Sequence, residues 1–250
     1  MRQKRVKTQC AGAVLAKTIP IYGGYIMNEY VNDVTRNRLN RTKAALEANN
    51  FEVYTVSDRE EAHELVKALL TEGDTVGVGG SETLNECRIL PLLRDPKYRF
   101  IDRYESGLTR EEVNARHIQA LGADVYITGT NAITENGELY NVDGNGNRIA
   151  AIAFGPRSVI VIAGANKIVK DLDDAVRRVK MYAAPANTKR LGLKSYCQSF
   201  GECKALAEGK CGMSDGCRGE SRICCDYLVS AYQRQRGRIK VILVEESLGF

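Results

Sequence analysis

No apolar run in this chain approaches the roughly 18 residues needed to cross a bilayer, which excludes a membrane-spanning role. Histidine is scarce: His63 and His117 are the two in the sequence. His117 shares one face of a helical pattern with Val113 and Leu121, a packed or half-buried position, and His63 sits beside the inner stripe of its own helix. Neither belongs to a matched nucleophile pattern, so a Ser-His-Asp hydrolase is not expected. There is no GxGxxG and no P-loop lysine, hence no nucleotide-cofactor fingerprint. The positive excess is small, 36 Lys and Arg against 31 Asp and Glu, and it is spread along the chain without any DNA- or RNA-binding signature. Nucleic acid is therefore not an expected partner. A secretory leader is also incomplete. The basic MRQKRVKTQC is followed by an apolar stretch, Ala11 to Ala16, that Lys17 cuts off. A signal-peptide core needs about 7–15 apolar residues. A cytoplasmic protein is expected, with residues 1–27 as a flexible extension and Met27 as a candidate start of the fold.

What the sequence does contain is a globular composition, 44% apolar in 250 residues, enough for one large α/β domain over residues 28–250. The chain is organised around Ala123 to Arg148, ADVYITGTNAITENGELYNVDGNGNR. Ala123, Val125 and Ile127 alternate with Asp124, Tyr126 and Thr128, the period of a β-strand. The run then turns polar and glycine-rich. Asn136-Gly137 and Asp143-Gly144 are hairpin-turn signals. A polar stretch leaving the C-terminal end of a buried strand is also where open α/β sheets bind ligands.

The other elements follow in order. Asn28 to Asn50 reads as a helix with Val31, Val34, Leu39, Thr42, Ala45 and Leu46 on one face. Phe51 to Val56 alternates as a strand, and Ser57 with Glu60 reads as a capping box for the next helix. Asp74 to Val78 is a short strand that runs into Gly79-Gly80-Ser81 and a helix. That geometry aims free backbone N–H groups at an anion, with Ser81 as cap and hydroxyl donor; the plainer reading is a tight turn with an ordinary serine cap. Tyr98 to Ile101 is a strand, and Thr109 with Glu112 forms another capping box. Ile149 to Phe154 and Ser158 to Ala163 read as buried strands joined at Gly155-Pro156. Asn166-Lys167 leaves the second of these, where a lysine meets either a carboxylate or phosphate, or plain solvent. Asp171 to Ala184 is a helix, 185–232 is loop-rich, and Arg238 to Val244 is a strand expected to rejoin the main sheet.

Eight cysteines are present, six of them between Cys197 and Cys225. Clustered thiols in a cytosolic chain point to metal rather than disulfides.

Four motifs taken together, GGSETL from Gly79, NAITENGEL from Asn131, DGNGNR from Asp143 and GANKIV from Gly164, with the closing GRIKVILVEESLGF, resemble the LUD domain family, named for lactate utilisation. The resemblance covers about residues 28–250. It implies a Rossmann-like open sheet flanked by helices, similar to the NagB/RpiA/CoA-transferase group, here with a cysteine-rich insertion over residues 185–232 before the last strand. It implies redox-linked organic-acid metabolism, lactate to pyruvate, alongside iron–sulfur proteins. A small anionic metabolite is then the expected ligand, those iron–sulfur proteins and a second copy of the chain the expected partners. The ligand site is expected from Gly79, Gly80, Ser81, Thr83, Asn131, Thr134, Asp143, Asn166 and Lys167. In related CoA-transferases a glutamate in a Glu-Asn-Gly sequence carries the acyl group, which makes Glu135 the candidate nucleophile of an acyl-transferase alternative.

The cysteines resemble the four-cysteine tail of one branch of the family, with an insertion between Cys203 and Cys217 that brings in Cys211. The expected metal ligands are Cys197, Cys203, Cys217 and Cys224, with Cys211 or Cys225 as substitutes. Four thiolates suit a 4Fe–4S cluster or Zn²⁺ and exclude Mg²⁺ and Ca²⁺. The redox association favours the cluster. Three functions remain open: a redox-linked organic-acid protein with a metal centre, an acyl- or CoA-transferase using Glu135, and a non-catalytic subunit of an iron–sulfur dehydrogenase complex.

Overall fold

The structure is a computed structural model that describes residues 29–250. The expected extension over residues 1–27, and Cys10 within it, lie outside the described residues. In chain order the elements are α1 (Glu29–Ala48), β1 (Glu52–Val56), α2 (Arg59–Leu69), β2 (Thr75–Val78), α3 (Glu82–Glu86), α4 (Ile89–Leu93), β3 (Arg99–Phe100), α5 (Arg110–Ala120), β4 (Val125–Gly129), β5 (Ala132–Thr134), β6 (Leu139–Asp143), α6 (Asn147–Ala153), β7 (Ser158–Gly164), β8 (Ile168–Val169), α7 (Leu172–Arg178), α8 (Ala184–Arg190), α9 (Tyr196–Phe200), α10 (Lys204–Ala207), β9 (Asp226–Ser230) and β10 (Ile239–Val244).

The main sheet has the order β1-β10-β7-β4-β2-β3, and every pair in it is parallel. It is the expected open α/β sheet flanked by helices, and β10 inserts between β1 and β7 as the sequence predicts. Its central strands are apolar on both sides because both faces are covered. Tyr126, Val159, Val161, Val241 and Leu243 face Leu39 and Leu46 of α1 and Ala151 and Ile152 of α6. Ile127, Ile160, Ile162, Ile242 and Val244 face α2, α3 and α4 through Ala62, Val66, Leu84 and Leu93. A second sheet, β8-β5-β6-β9, is built on the expected hairpin of β5 and β6 around Glu135-Asn136-Gly137. It packs against α7 and α8 through Tyr140, Val169, Val176 and Ala184. Among the described residues, no helix is long and apolar enough to cross a membrane.

Several local expectations are corrected. Residues 149–154 are not a strand: α6 takes in 149–153, and Phe154 is its C-cap. Asp143 Oδ2 accepts the backbone N–H of both Arg148 and Ile149 at 2.9 Å, which satisfies donors that the first helical turn leaves free. The alanines that follow favour the helix, and Arg148, Ala151 and Ile152 fall on its buried face. The α2 cap lies one residue later than Ser57. Asp58 accepts from Glu61 N at 2.8 Å, and Ser57 Oγ donates to the Glu61 carboxylate at 3.0 Å. Ser81 stands at the N-cap position of α3 but makes no side-chain cap bond, and the helix after it breaks at Arg88, where φ is 53°. Val31 and Val34 are 52% and 67% exposed, so the buried stripe of α1 begins at Leu39.

The helix from Asp171 does not end at Ala184. It runs on through a π-helical turn, Val179–Ala183, into α8, which carries Pro185 in its first turn. Proline has no N–H to donate and its ring crowds the preceding turn, and the wider π turn accommodates both. Residues 185–232 are also more ordered than a loop, because β9 pairs antiparallel with β6 from Leu139↔Ser230 to Asp143↔Asp226. That pairing folds the cysteine segment back over the strand ends.

Candidate functional site

The C-terminal ends of β2, β4 and β7 converge on a cavity of about 260 Å³. The glycines at these ends let the loops approach. A Cβ on Gly129 would stand 2.6 Å from Ser81 Oγ and 3.5 Å from Lys167 Nζ, so only glycine leaves room for both groups. Of the residues expected at the site, Gly80, Ser81, Asn131, Asp143 and Lys167 line this cavity.

The others lie around it or away from it. Thr83 is buried and accepts from Lys167 Nζ at 2.8 Å. Gly79 packs against Thr128 and Arg148. Asn166 clamps the C-terminal segment: its Oδ1 accepts Leu248 N–H at 3.0 Å, and its Nδ2 donates to the carbonyls of Leu248 and Gly249. Thr134 is spent in the hairpin turn, donating to Glu138 Oε2 at 2.8 Å. Glu135 does not line the cavity. Its carboxylate pairs with Arg38 at 2.7 Å and Arg41 at 3.5 Å, both on α1. Burial raises its pKa, but the two arginines outweigh that and hold it below the ordinary value.

The cavity is cationic. Arg103, Arg148, Lys167 and Arg190 line it against Asp143 and Glu82. Asp143 is neutralised by Arg148, whose guanidinium reaches Asp143 Oδ1 at 2.7 Å, Asn131 Oδ1 at 2.7 Å and the carbonyl of Val142 at 2.9 Å. Arg148 is thus fully engaged and frames the wall. Arg103 is not. It bonds Tyr104 Oη at 2.8 Å and meets His117 Nε2 at 3.3 Å, and among the described residues it has no carboxylate partner and its buried Nε has no hydrogen-bond partner. Lys167 is 3% exposed, and Thr83 Oγ1 is its one hydrogen-bond acceptor among the described residues. Burial, then Arg178 and Arg148, push its pKa down to about 7, against weaker opposition from Glu86 and Cys87. The Ser81 hydroxyl makes no hydrogen bond within the chain among the described residues. The arrangement suits a small anion: three cationic groups, Arg103, Lys167 and Arg190, without a counter-carboxylate among the described residues, and the Ser81 hydroxyl at the same cavity.

Arg103 and Arg148 were not among the residues singled out from sequence. Arg148 stands in the DGNGNR motif. Arg103 follows a two-residue strand, and only the fold brings it over Gly80. His117 is half-buried between Arg103 and Asn147, in keeping with a packed role.

A second, smaller cavity of about 30 Å³ is lined by Cys197, Cys203, Cys217 and Cys224. These are the four thiols expected from the family's tail. Cys211 and Cys225 are exposed and do not line it. The side chains as they stand leave no group of three or more His, Cys, Asp or Glu spaced to hold a metal ion among the described residues. Chemically a set of four thiols still suits a soft metal, and all four cysteines line one cavity. Arg222 fixes the loop by donating to the carbonyls of Cys224 at 2.8 Å, Cys217 at 2.9 Å and Ser214 at 2.9 Å. Ser195 Oγ and Thr188 Oγ1 stand 3.4 and 3.5 Å from Cys197 Sγ. Burial, then the neighbouring Cys197 and Cys203, push the Cys224 thiol up to about 12. Val179, Ala184, Ile223 and Cys224 line both cavities, so the thiol cavity and the strand-end cavity share a wall.

No curated protein matches the chain. Among solved structures it is similar to a DUF162 family protein from Deinococcus radiodurans, at 17% identity over 84% of this chain and 98% of that one, with a TM-score of 0.45. It is also similar to eIF2B beta from Chaetomium thermophilum, at 20% identity over 46% of this chain and 44% of that one, with a TM-score of 0.32. The family model of the LUD domain matches residues 39–244, from within α1 to the end of β10, and the chain belongs to the LUD domain family.

Proposed function

We propose that this LUD-domain protein acts in redox-linked organic-acid metabolism and binds a small carboxylate such as lactate or pyruvate in the strand-end cavity. The observation that carries the reading is the pair Arg103 and Lys167, which line one cavity of about 260 Å³ with no carboxylate partner for either among the described residues. Arg103 offers guanidinium donors to the carboxylate, and Ser81 and Lys167 offer polar contacts to the substituent at C2. The volume suits a metabolite of a few carbon atoms rather than a nucleotide. Isothermal titration of the full chain with lactate and with pyruvate tests this. Saturable binding that Arg103→Gln weakens by about tenfold or more (~1.4 kcal/mol) is the expected result, and binding unaffected by that change overturns it.

We further propose that Cys197, Cys203, Cys217 and Cys224 hold a metal centre, a 4Fe–4S cluster in preference to Zn²⁺. The four thiols line the same enclosed cavity, and the segment that carries them has few buried apolar residues of its own. A metal would supply ordering energy there, and an iron–sulfur centre would supply one-electron redox capacity beside the anion cavity. Iron–sulfur proteins of lactate oxidation are the matching partners. Metal and acid-labile sulfide analysis on protein purified without oxygen tests it: iron with sulfide supports the cluster, zinc alone makes the centre structural, and the absence of both overturns it. The acyl-transferase alternative gains no support, because Glu135 lies outside the cavity and is ion-paired.

A further inference from the structure

We infer that Lys167 forms a covalent imine with the carbonyl carbon of a 2-oxo acid bound in the strand-end cavity. The inference rests on the carboxylate-binding reading above and adds a reaction to it.

Three observations lead to Lys167. First, the group is buried yet lines the cavity, so its amine faces a bound ligand rather than bulk solvent. Second, its surroundings suit an amine rather than an ammonium ion. Among the described residues, Thr83 Oγ1 is the one acceptor within hydrogen-bond distance and no carboxylate pairs with it, while Arg178 and Arg148 both act on it as like charges. An ammonium group would leave N–H donors unsatisfied in a buried place. The same causes set its pKa near neutrality, where a useful fraction carries a free electron pair. Third, Ser81 Oγ and Lys167 Nζ converge on the same face of Gly129, so a hydroxyl without a partner stands beside the nucleophile. Arg103, on the Gly80 side, is available to hold the carboxylate and orient the carbonyl.

The step balances without an oxidant or reductant. The Lys167 nitrogen attacks the carbonyl carbon, the C–N bond forms, the C=O electron pair moves to oxygen, and a proton passes from the nitrogen to that oxygen. The resulting carbinolamine loses water as the C–O bond breaks and the nitrogen gives up its second proton, leaving C=N. Ser81 is placed to pass a proton to the departing oxygen. A 2-hydroxy acid such as lactate has no carbonyl and binds without this step.

The test uses the full chain with pyruvate and sodium cyanoborohydride, read by intact mass and by peptide fragmentation. The expected result is one reduced adduct mapped to Lys167. It should depend on both reagents, be suppressed by excess lactate, and be lost in Lys167→Arg. If that variant does not fold, the mapped position in the wild-type chain decides alone. No adduct at Lys167, or labelling spread evenly over surface lysines, overturns the inference. Calorimetry with lactate on the same preparation separates the two readings. Lactate binding without an adduct removes the imine and leaves the cavity reading standing; no binding and no adduct removes both.

Discussion

Asp143 and Arg148 form a buried ion pair at 2.7 Å, each 8% exposed, at the junction of the hairpin and the helix that closes the site. One oxygen of Asp143 takes the guanidinium and the other takes two backbone N–H groups, so a single carboxylate both starts α6 and positions Arg148. Asn131 and Asn141 accept from the same guanidinium, and Asn141 Nδ2 has no partner of its own. Arg148→Met strands these acceptors. We expect a loss of about 3–5 kcal/mol, because removing one partner leaves a buried charge uncompensated. Urea unfolding measures it; a loss under about 1 kcal/mol would mean that water replaces the arginine.

Gly137 tests how the hairpin docks on the first helix. Its φ is +82°, and a Cβ there would stand 2.5 Å from the backbone of Ala45. Asn49 Nδ2 holds the same turn through the carbonyls of Asn136 and Gly137, both at 2.9 Å. Gly137→Ala therefore meets strain and backbone overlap together, and should cost at least about 2 kcal/mol. Thermal unfolding checks it, and a neutral effect would contradict this docking.

The pH dependence of anion binding has a definite sign. Lys167 is charged below about 7 and neutral above it. Lactate affinity should be greatest below that value and should fall as pH rises through it, as the ammonium is lost. Lys167→Met should bind more weakly and flatten the profile, since the group that titrates there is gone. Imine trapping with pyruvate runs the other way and rises through the same range, because it needs the free amine. Calorimetry and mass spectrometry over one pH series compare the two, and parallel profiles would contradict the assignment.

Cysteine substitutions should fall into two classes. Cys197→Ser, Cys203→Ser, Cys217→Ser and Cys224→Ser each remove a sulfur from the enclosed cavity and should lower metal content sharply. Cys211→Ser and Cys225→Ser change exposed thiols outside it and should leave metal content unchanged. Metal and sulfide analysis of the six variants gives the answer; equal losses across both classes would contradict the ligand set.

The parts of this molecule that could be read from sequence are those where local pattern and burial agree. The strands entering Gly79 and Asn166 are short apolar runs ended by glycine, so the strand ends, and with them Ser81 and Lys167, were legible. IAAIAF at 149–154 was misread because a short apolar run fits a buried strand and a buried helix equally, and the Asp143 carboxylate that decides between them belongs to the preceding strand. Arg103 offered no signal, since an arginine after a two-residue strand looks like any surface cation until the fold lays it over Gly80. Glu135 was attractive for its Glu-Asn-Gly context, but the turn needs Asn-Gly for its own geometry, and the arginines that occupy the carboxylate come from α1, distant in sequence. The cysteines were visible as a cluster. That Cys197, Cys203, Cys217 and Cys224 line one cavity, and that it shares a wall with the strand-end cavity, depends on β9 folding back on β6.

The most direct test of the carboxylate site is a crystal structure of the full chain grown with lactate at saturating concentration. The result expected is lactate density in the strand-end cavity, its carboxylate on Arg103 and its hydroxyl within reach of Ser81 and Lys167. Lactate bound elsewhere, or an anion-free cavity at saturation, would contradict the account.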